Sequence, residues 1–249
     1  MATADPTRAP VCPPATADPR DPGAGNADDT LDLELPPELR ALLDEDVTAD
    51  DRAGGPAPLD DLLDGVADWG PVGTPAGTFQ LVPVRPERDL PVITHWMNDP
   101  AVAEFWDLAG RPEVAERHLR AQLDGDGRSM PCVGVLDGVP MSYWEVYRAD
   151  LDAVARYYPA RPHDTGLHLL IGPVADRARG LGGTLLRAVA DHALRQRPRC
   201  TRVIAEPDLR NTPSVAAFLA AGFRFSAEVE LPGKRAALLV RDRALRHVL

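Results

Sequence analysis

The chain has 249 residues, 44% hydrophobic and 26% charged, enough for one sizeable core or two small ones in an ordinary globular protein. Its net charge of −11 is uneven: residues 1–78 carry 17 acids against 4 bases, and residues 79–249 carry 21 against 23. The composition excludes a nucleic-acid binder, which needs a basic face, and a membrane protein, which needs a long apolar run or a basic amphipathic helix.

Residues 1–30 are mostly Ala, Pro, Asp, Thr and Gly. They cannot bury enough surface to offset the entropy of ordering, so disorder is expected. No apolar stretch suits a secretory signal. Cys12, Cys132 and Cys200 form neither a disulfide framework nor a zinc spacing, so reduced thiols, no metal and a cytoplasmic protein are expected. Two apolar patterns follow, Leu31 to Leu43 and Leu59, Leu62, Leu63, Val66 and Trp69, separated by an acidic linker at 44–58. The second has helical spacing. The expectation is an acidic extension over 1–78, largely disordered, with one segment a candidate to dock on the domain.

From Phe79 the texture changes. Residues 79–84 read as a strand and 89–97 as a helix, ended by the turn signal Asn98-Asp99-Pro100. Residues 112–123 are helical behind Pro112. Strands at 131–136 and 141–147 flank Asp137-Gly138, a hairpin signal. A strand at 166–171 leads through a glycine-rich turn into a long helix over 180–197. A short strand at 202–205, a helix at 212–221 capped by Gly222, and a final hairpin around Pro232-Gly233 complete the chain. The order argues for one α+β, or mixed α/β, domain over 79–249.

The chemistry sits where the 166–171 strand meets the helix. Arg177, Arg179, Gly180, Gly182 and Gly183 surround a helix N-terminus. There, unpaired N–H groups and the positive dipole end hold phosphate, and glycine lets the backbone approach closely. The dinucleotide fingerprint wants its first glycine at the strand end, and the Walker pattern wants a lysine after the glycines. Neither is present.

Arg177-x-x-Gly180-x-Gly182 resembles motif A of the GCN5-related N-acetyltransferases (GNAT), and Asn211-x-x-Ser214-x-x-x-Phe218-x-x-x-Gly222-Phe223 resembles the helix and strand that follow it there. Three further stretches are similar to the acyltransferases of hydroxamate siderophore biosynthesis: His95-Trp96-Met97-Asn98-Asp99-Pro100 with Phe105-Trp106, Gly166-Leu167-His168, and Glu206-Pro207-Asp208-Leu209-Arg210-Asn211. The resemblance covers roughly 79–241. It implies a mostly antiparallel sheet, splayed at its centre and flanked by helices, with acyl-CoA as co-substrate held in the splay. It implies transfer to the side-chain nitrogen of lysine, N6-hydroxylysine or a related diamine, alongside siderophore synthetase pathway enzymes.

Site roles follow from the resemblance. His168 is expected as the base, oriented by Asp208. Leu170, Ile171 and Gly172 are expected to supply backbone N–H groups to the acyl oxygen. Arg177, Arg179, Gly180, Gly182 and Gly183 would hold the pyrophosphate, with Asn211, Ser214 and Phe218 along the pantetheine arm. The family commonly has Tyr where this chain has Phe218. His95, Trp96, Asn98, Trp106 and Glu145 are candidates for the acceptor wall. The bland readings are a core histidine for His168, caps for Asp208 and Asn211, and core packing for the tryptophans. Two alternatives stand: another small-molecule acetyltransferase of this fold, such as an aminoglycoside type, or a non-catalytic acyl-CoA-binding module.

Overall fold

A computed structural model describes residues 62–246. The expected disorder at 1–30, the leucine pattern at 31–43, the linker at 44–58 and Cys12 lie outside the described residues.

One eight-stranded sheet forms the frame: β1 (Val72–Thr74), β2 (Gly77–Pro83), β3 (Ser129–Leu136), β4 (Val139–Arg148), β5 (Thr165–Ile171), β6 (Arg202–Ala205), β7 (Arg224–Leu231) and β8 (Lys234–Asp242). Their spatial order is β1-β2-β3-β4-β5-β6-β8-β7. Every neighbouring pair is antiparallel except β5–β6, which is parallel and pairs only at Thr165↔Val203 and Gly166↔Ile204. Beyond those residues the two strands part, as expected for a splayed mixed sheet. The β3–β4 hairpin turns at Asp137 and Gly138, both with positive φ, as an Asp-Gly pair favours.

Among the described residues the α-helices are α1 (Pro86–Met97), α2 (Pro100–Trp106), α3 (Pro112–Leu123), α4 (Leu181–Gln196) and α5 (Thr212–Ala220). Helix α2 stands where the sequence suggests only a turn. The Asp99 side chain accepts the Ala101 amide at 3.0 Å, and Pro100 fills the first helical position. Asp-Pro is thus both a turn signal and a helix start. No helix among the described residues is long and apolar enough to cross a membrane.

Strand alternation divides the side chains between two faces. One face carries Phe79, Trp144 and Leu167 against Leu185, Leu186 and Val189 of α4. The other carries Tyr143 and Leu170 against Ile93, Trp96, Met97, Val102 and Leu119 of α1 to α3. Leu63 and Val66, 1% and 0% exposed, belong to the first core, beside Phe79 and α4. The domain boundary expected at Phe79 therefore falls late: burying two such side chains contributes roughly 3–6 kcal/mol, and β1 already pairs with β2 upstream of it.

Candidate active site

Beyond Gly166↔Ile204 no backbone bond joins β5 to β6, and a cleft of about 410 Å3 opens at that point. His168 on β5 and Glu206, just past β6, face each other across it. His168 Nε2 lies 2.6 Å from Glu206 Oε1, and its Nδ1 lies 2.8 Å from Glu145 Oε2. Glu145 stands directly opposite His168 on β4. Its Oε1 lies 2.5 Å from His118 Nε2 and accepts from the Tyr143 hydroxyl at 2.9 Å and Gln122 Nε2 at 2.8 Å. The Tyr147 hydroxyl donates to Glu206 Oε2 at 2.7 Å. Its ring lies across Gly166, where a Cβ would come within 2.0 Å of it. Only glycine fits that position. Trp106 meets both Tyr143 and His168 edge-on.

Both ring nitrogens of His168 face carboxylates. A neutral imidazole has only one N–H to offer, so this geometry selects the imidazolium. Burial alone would push His168 down, but Glu206 and Glu145 outweigh it and raise the group to about 10. Burial opposes the charge on Glu206, yet His168, Lys234 and Tyr147 hold it down at about 2. His118 and His168 likewise overcome burial and lower Glu145 strongly. Burial and the adjoining glutamates push Tyr143 and Tyr147 well up, so both stay protonated donors. The histidine expected as a free base is instead a charged group held between two acids.

The expected partner, Asp208, lines the same cleft. Its carboxylate is bound by Arg210, at 2.7 Å from Nη2 and 2.8 Å from the backbone N–H, and Arg210 holds it below the usual carboxylate range. The position bonded to His168 is Glu206, two residues earlier. Alternation on β6 and the parallel register with β5 would have pointed to it, but an acid between a strand and Pro207 reads as a turn residue. His118, Tyr143, Tyr147 and Lys234 were also missed. Tyr143, Glu145 and Tyr147 share one face of β4 at period two, which was the available signal. Lys234, the only lysine of the chain, donates to the Glu206 carbonyl at 2.7 Å.

On the coenzyme side, Gly180 (φ +77) turns the chain into α4, whose N-terminus has no side-chain cap. The first-turn N–H groups, Gly182 included, have no partner inside the helix. Gly183 lies 3.2 Å, by its hypothetical Cβ, from the Ala217 carbonyl. Its smallness serves the packing of α4 on α5. Arg177 is spent within the fold: its guanidinium donates to the Ile171 and Gly172 carbonyls and to Asp99 Oδ1 at 2.9, 2.6 and 2.9 Å. Exposed Arg179 pairs with Asp176 at 3.5 Å. The Gly172 N–H donates to the Met141 carbonyl of β4. By strand alternation Leu170 is turned to β4 as well, and the N–H groups of Leu169 and Ile171 face the splay. Of the three N–H groups expected to face the acyl oxygen, those of Leu170 and Gly172 are turned to β4 and that of Ile171 faces the splay. Asn211 accepts the Ser214 N–H as the cap of α5, and Asn211, Ser214 and Phe218 all line the cleft.

Of the expected acceptor wall, Trp106 and Glu145 lie in the cleft and three residues do not. Trp96 is buried in the second core beneath Gly172, where a Cβ would come within 2.1 Å of its ring. Asn98 ties α1 to Gly110, donating to its carbonyl at 3.0 Å and accepting its N–H at 2.9 Å. His95 is exposed on α1 and outside the cleft.

Residues 85–231 match the family described as acetyltransferase (GNAT) domain. The chain is 34% identical over 216 residues, 87% of its own length and 81% of the other, to a protein named lysine N-acyltransferase MbtK from Mycobacterium sp. (strain MCS). It is 35% identical over 158 residues to the N(6)-hydroxylysine O-acetyltransferase of Escherichia coli, covering 64% of this chain and half of that protein. Among solved structures, an uncharacterized protein of Bacillus halodurans superposes with a TM-score of 0.67 at 33% identity, covering 72% and 92% of the two chains. The aminoglycoside acetyltransferase AAC(6')-Ib, solved with paromomycin and acetyl-CoA, superposes at 0.59 over 67% and 94%; at 24% identity this likeness concerns the fold.

Proposed function

We propose, for a chain that belongs to the acetyltransferase (GNAT) domain family, that it moves an acyl group from acyl-CoA to the side-chain amine or hydroxylamine of lysine, N6-hydroxylysine or a related diamine, in the building of a hydroxamate siderophore. The observation that carries this reading is the cleft at the parting of β5 and β6, where Glu145 and Glu206 hold His168 between them and Asp208 lines the same wall. Three carboxylates suit an acceptor that arrives as an alkylammonium. The names of the similar proteins, lysine N-acyltransferase and N(6)-hydroxylysine O-acetyltransferase, support lysine-type acceptors over aminosugars.

The fold fits an acyl-CoA: an uncapped helix start with a left-handed glycine lies beside a strand whose outer edge is unpaired. In this reading the α4 N-terminus and Arg179 hold the pyrophosphate. The N–H groups of Leu169 and Ile171 stabilise the oxygen of the attacked thioester. Arg177 fixes the end of β5 so that those donors keep their aim. Asn211, Ser214 and Phe218 border the pantetheine arm, and Trp106 walls the acceptor. Asp208 binds the acceptor nitrogen, with exposed Arg210 as its displaceable partner. His168 keeps Glu206 and Glu145 ionised. Transfer is direct in this reading, since among the described residues no cysteine lines the cleft and the thiols of Cys132 and Cys200 are buried, which pushes both up.

Thiol release by the purified protein tests the reading. It is run with acetyl-, succinyl- and long-chain acyl-CoA against lysine, N6-hydroxylysine, cadaverine, ornithine and an aminoglycoside. Release with the lysine-type amines is expected. Release with the aminoglycoside alone, or coenzyme binding without transfer to any amine, would overturn it.

A further inference from the structure

The cleft holds a cation that acyl transfer does not call for. Lys234 follows the Pro232-Gly233 turn, where Gly233 takes a φ of +83° and Leu231 pairs with Lys234 at the first rung of the β7–β8 hairpin. The hairpin is tied to the segment after β6. Asp208 bridges to Ala236, the Leu209 N–H donates to the Arg235 carbonyl and the Ala237 N–H to the Pro207 carbonyl, both at 2.9 Å. Lys234, Asp208 and Arg210 therefore stand on one wall of the cleft, across from β5. Lys234 Nζ donates to the Glu206 carbonyl at 2.7 Å and lies 3.8 Å from Glu206 Oε1, beyond hydrogen-bond reach. Both oxygens of that carboxylate already have donors, His168 Nε2 at 2.6 Å and the Tyr147 hydroxyl at 2.7 Å. An ammonium carries three N–H groups, and one bond to a neutral carbonyl does not use them up. The side chain keeps 33% of its surface open. A positive charge on the wall of a cleft that receives an alkylammonium repels that ligand, unless the ligand also brings an anion.

We propose that Lys234, with Arg210 beside it, binds the α-carboxylate of the acceptor, so that the cleft takes an amino acid in preference to a diamine. The proposal rests on the acyltransfer reading above and narrows its acceptor. In that reading Asp208 takes the nitrogen to be acylated. Four methylenes away, a lysine carries its α-carbon with the carboxylate and the second ammonium. The carboxylate meets Lys234. Arg210 is bonded to Asp208 through Nε at 3.1 Å and Nη2 at 2.7 Å, with 69% of its side chain exposed. The amine arriving at Asp208 releases Arg210 to close on the same carboxylate. Each charge then exchanges one partner for another, and none is left bare. Cadaverine is the same chain without the carboxylate. It keeps both cationic ends and brings one of them toward Lys234 with no anion to offset the repulsion. The thioester lies along β5, on the opposite wall, so Lys234 is placed to read the acceptor and not the acyl chain.

Three acceptors test this: lysine, lysine amide and cadaverine, all three N-hydroxylated or all three not. They are compared with acetyl-CoA in the wild type, Lys234→Met and Lys234→Arg. The wild type should favour lysine over both others by roughly ten-fold to a hundred-fold in kcat/KM. Lys234→Met should remove most of that preference through a raised KM for lysine, and Lys234→Arg should keep most of it. The wild-type comparison decides even where a variant fails to fold. A wild type indifferent to the carboxylate, a preference unmoved in Lys234→Met, or equal falls with all three acceptors would overturn the carboxylate site. So would a loss that appears between succinyl- and acetyl-CoA and not between acceptors, which would give Lys234 to the acyl group. Those results leave the acyltransfer reading standing. A wild-type protein that releases no thiol with any of the three removes that reading, and the carboxylate site with it.

Discussion

The bond between His168 Nε2 and Glu206 Oε1, 2.6 Å long, lies in register with the last backbone pairs of two parting strands. Thr165 pairs with Val203 and Gly166 with Ile204. Two residues further along each strand stand His168 and Glu206. A side-chain ion pair has taken over where the ladder stops, and the cleft opens around it. The same separation that exposes the edge of β5 brings a cation and an acid together at the bottom of the gap.

This pair should make stability depend on pH at both ends. His168 is raised from 6.5 to about 10, so its contribution is complete below pH 6.5 and is lost as pH rises through about 10. Glu206 is lowered from 4.5 to about 2, so its contribution is present above pH 4.5 and is lost as pH falls toward 2. Thermal melting across this range should show a plateau between the two, and His168→Gln should flatten the alkaline arm. Nitrogen-15 NMR of the ring should report both nitrogens protonated at pH 8. A neutral imidazole there would contradict the assignment.

Leu63 tests where the fold begins. It is buried in the main core although it lies upstream of the strand where the change in composition sets in. Leu63→Ala should cost roughly 2–5 kcal/mol in urea unfolding, and a chain starting at residue 79 should fail to fold. A cost near zero would show that residues 62–78 are an appendage.

Two arginines of the same turn should behave oppositely. Arg177 bonds two carbonyls and Asp99, so Arg177→Ala should lower the melting temperature, by roughly 1–3 kcal/mol in stability. Exposed Arg179 should matter for the coenzyme instead. Arg179→Ala should weaken acyl-CoA binding at low salt and much less at high salt, because exposed charges are screened. Equal and salt-independent losses of coenzyme affinity in both would reverse these roles.

The fold was legible where one residue type has one job. The Asp137-Gly138 turn, the apolar period of α4 and the left-handed Gly180 declare themselves in the chain. Helix α2 did not, because Asp99-Pro100 serves equally to end a turn and to begin a helix. Strand β1 did not, because three residues carry no period. In the site, His168, Asp208, Trp106 and Glu145 could be named from motif and alternation. Glu206 could not: its meaning comes from the parallel register between β5 and β6, which no local pattern encodes. Trp96 and Arg177 misled for a physical reason. Trp96 fills the space under Gly172, and Arg177 closes the strand end. Each supports the site from behind, so position in a motif told of proximity to the coenzyme without telling of contact.

The central claim is that the His168 cluster performs acyl transfer while the α4 turn holds the coenzyme. The most direct test is the steady-state kinetics of His168→Ala beside calorimetric binding of coenzyme A to the same variant. The account predicts a fall in kcat of roughly a hundred-fold or more, with coenzyme affinity almost unchanged. Equal loss of turnover and of coenzyme affinity, or turnover retained without His168, would contradict it.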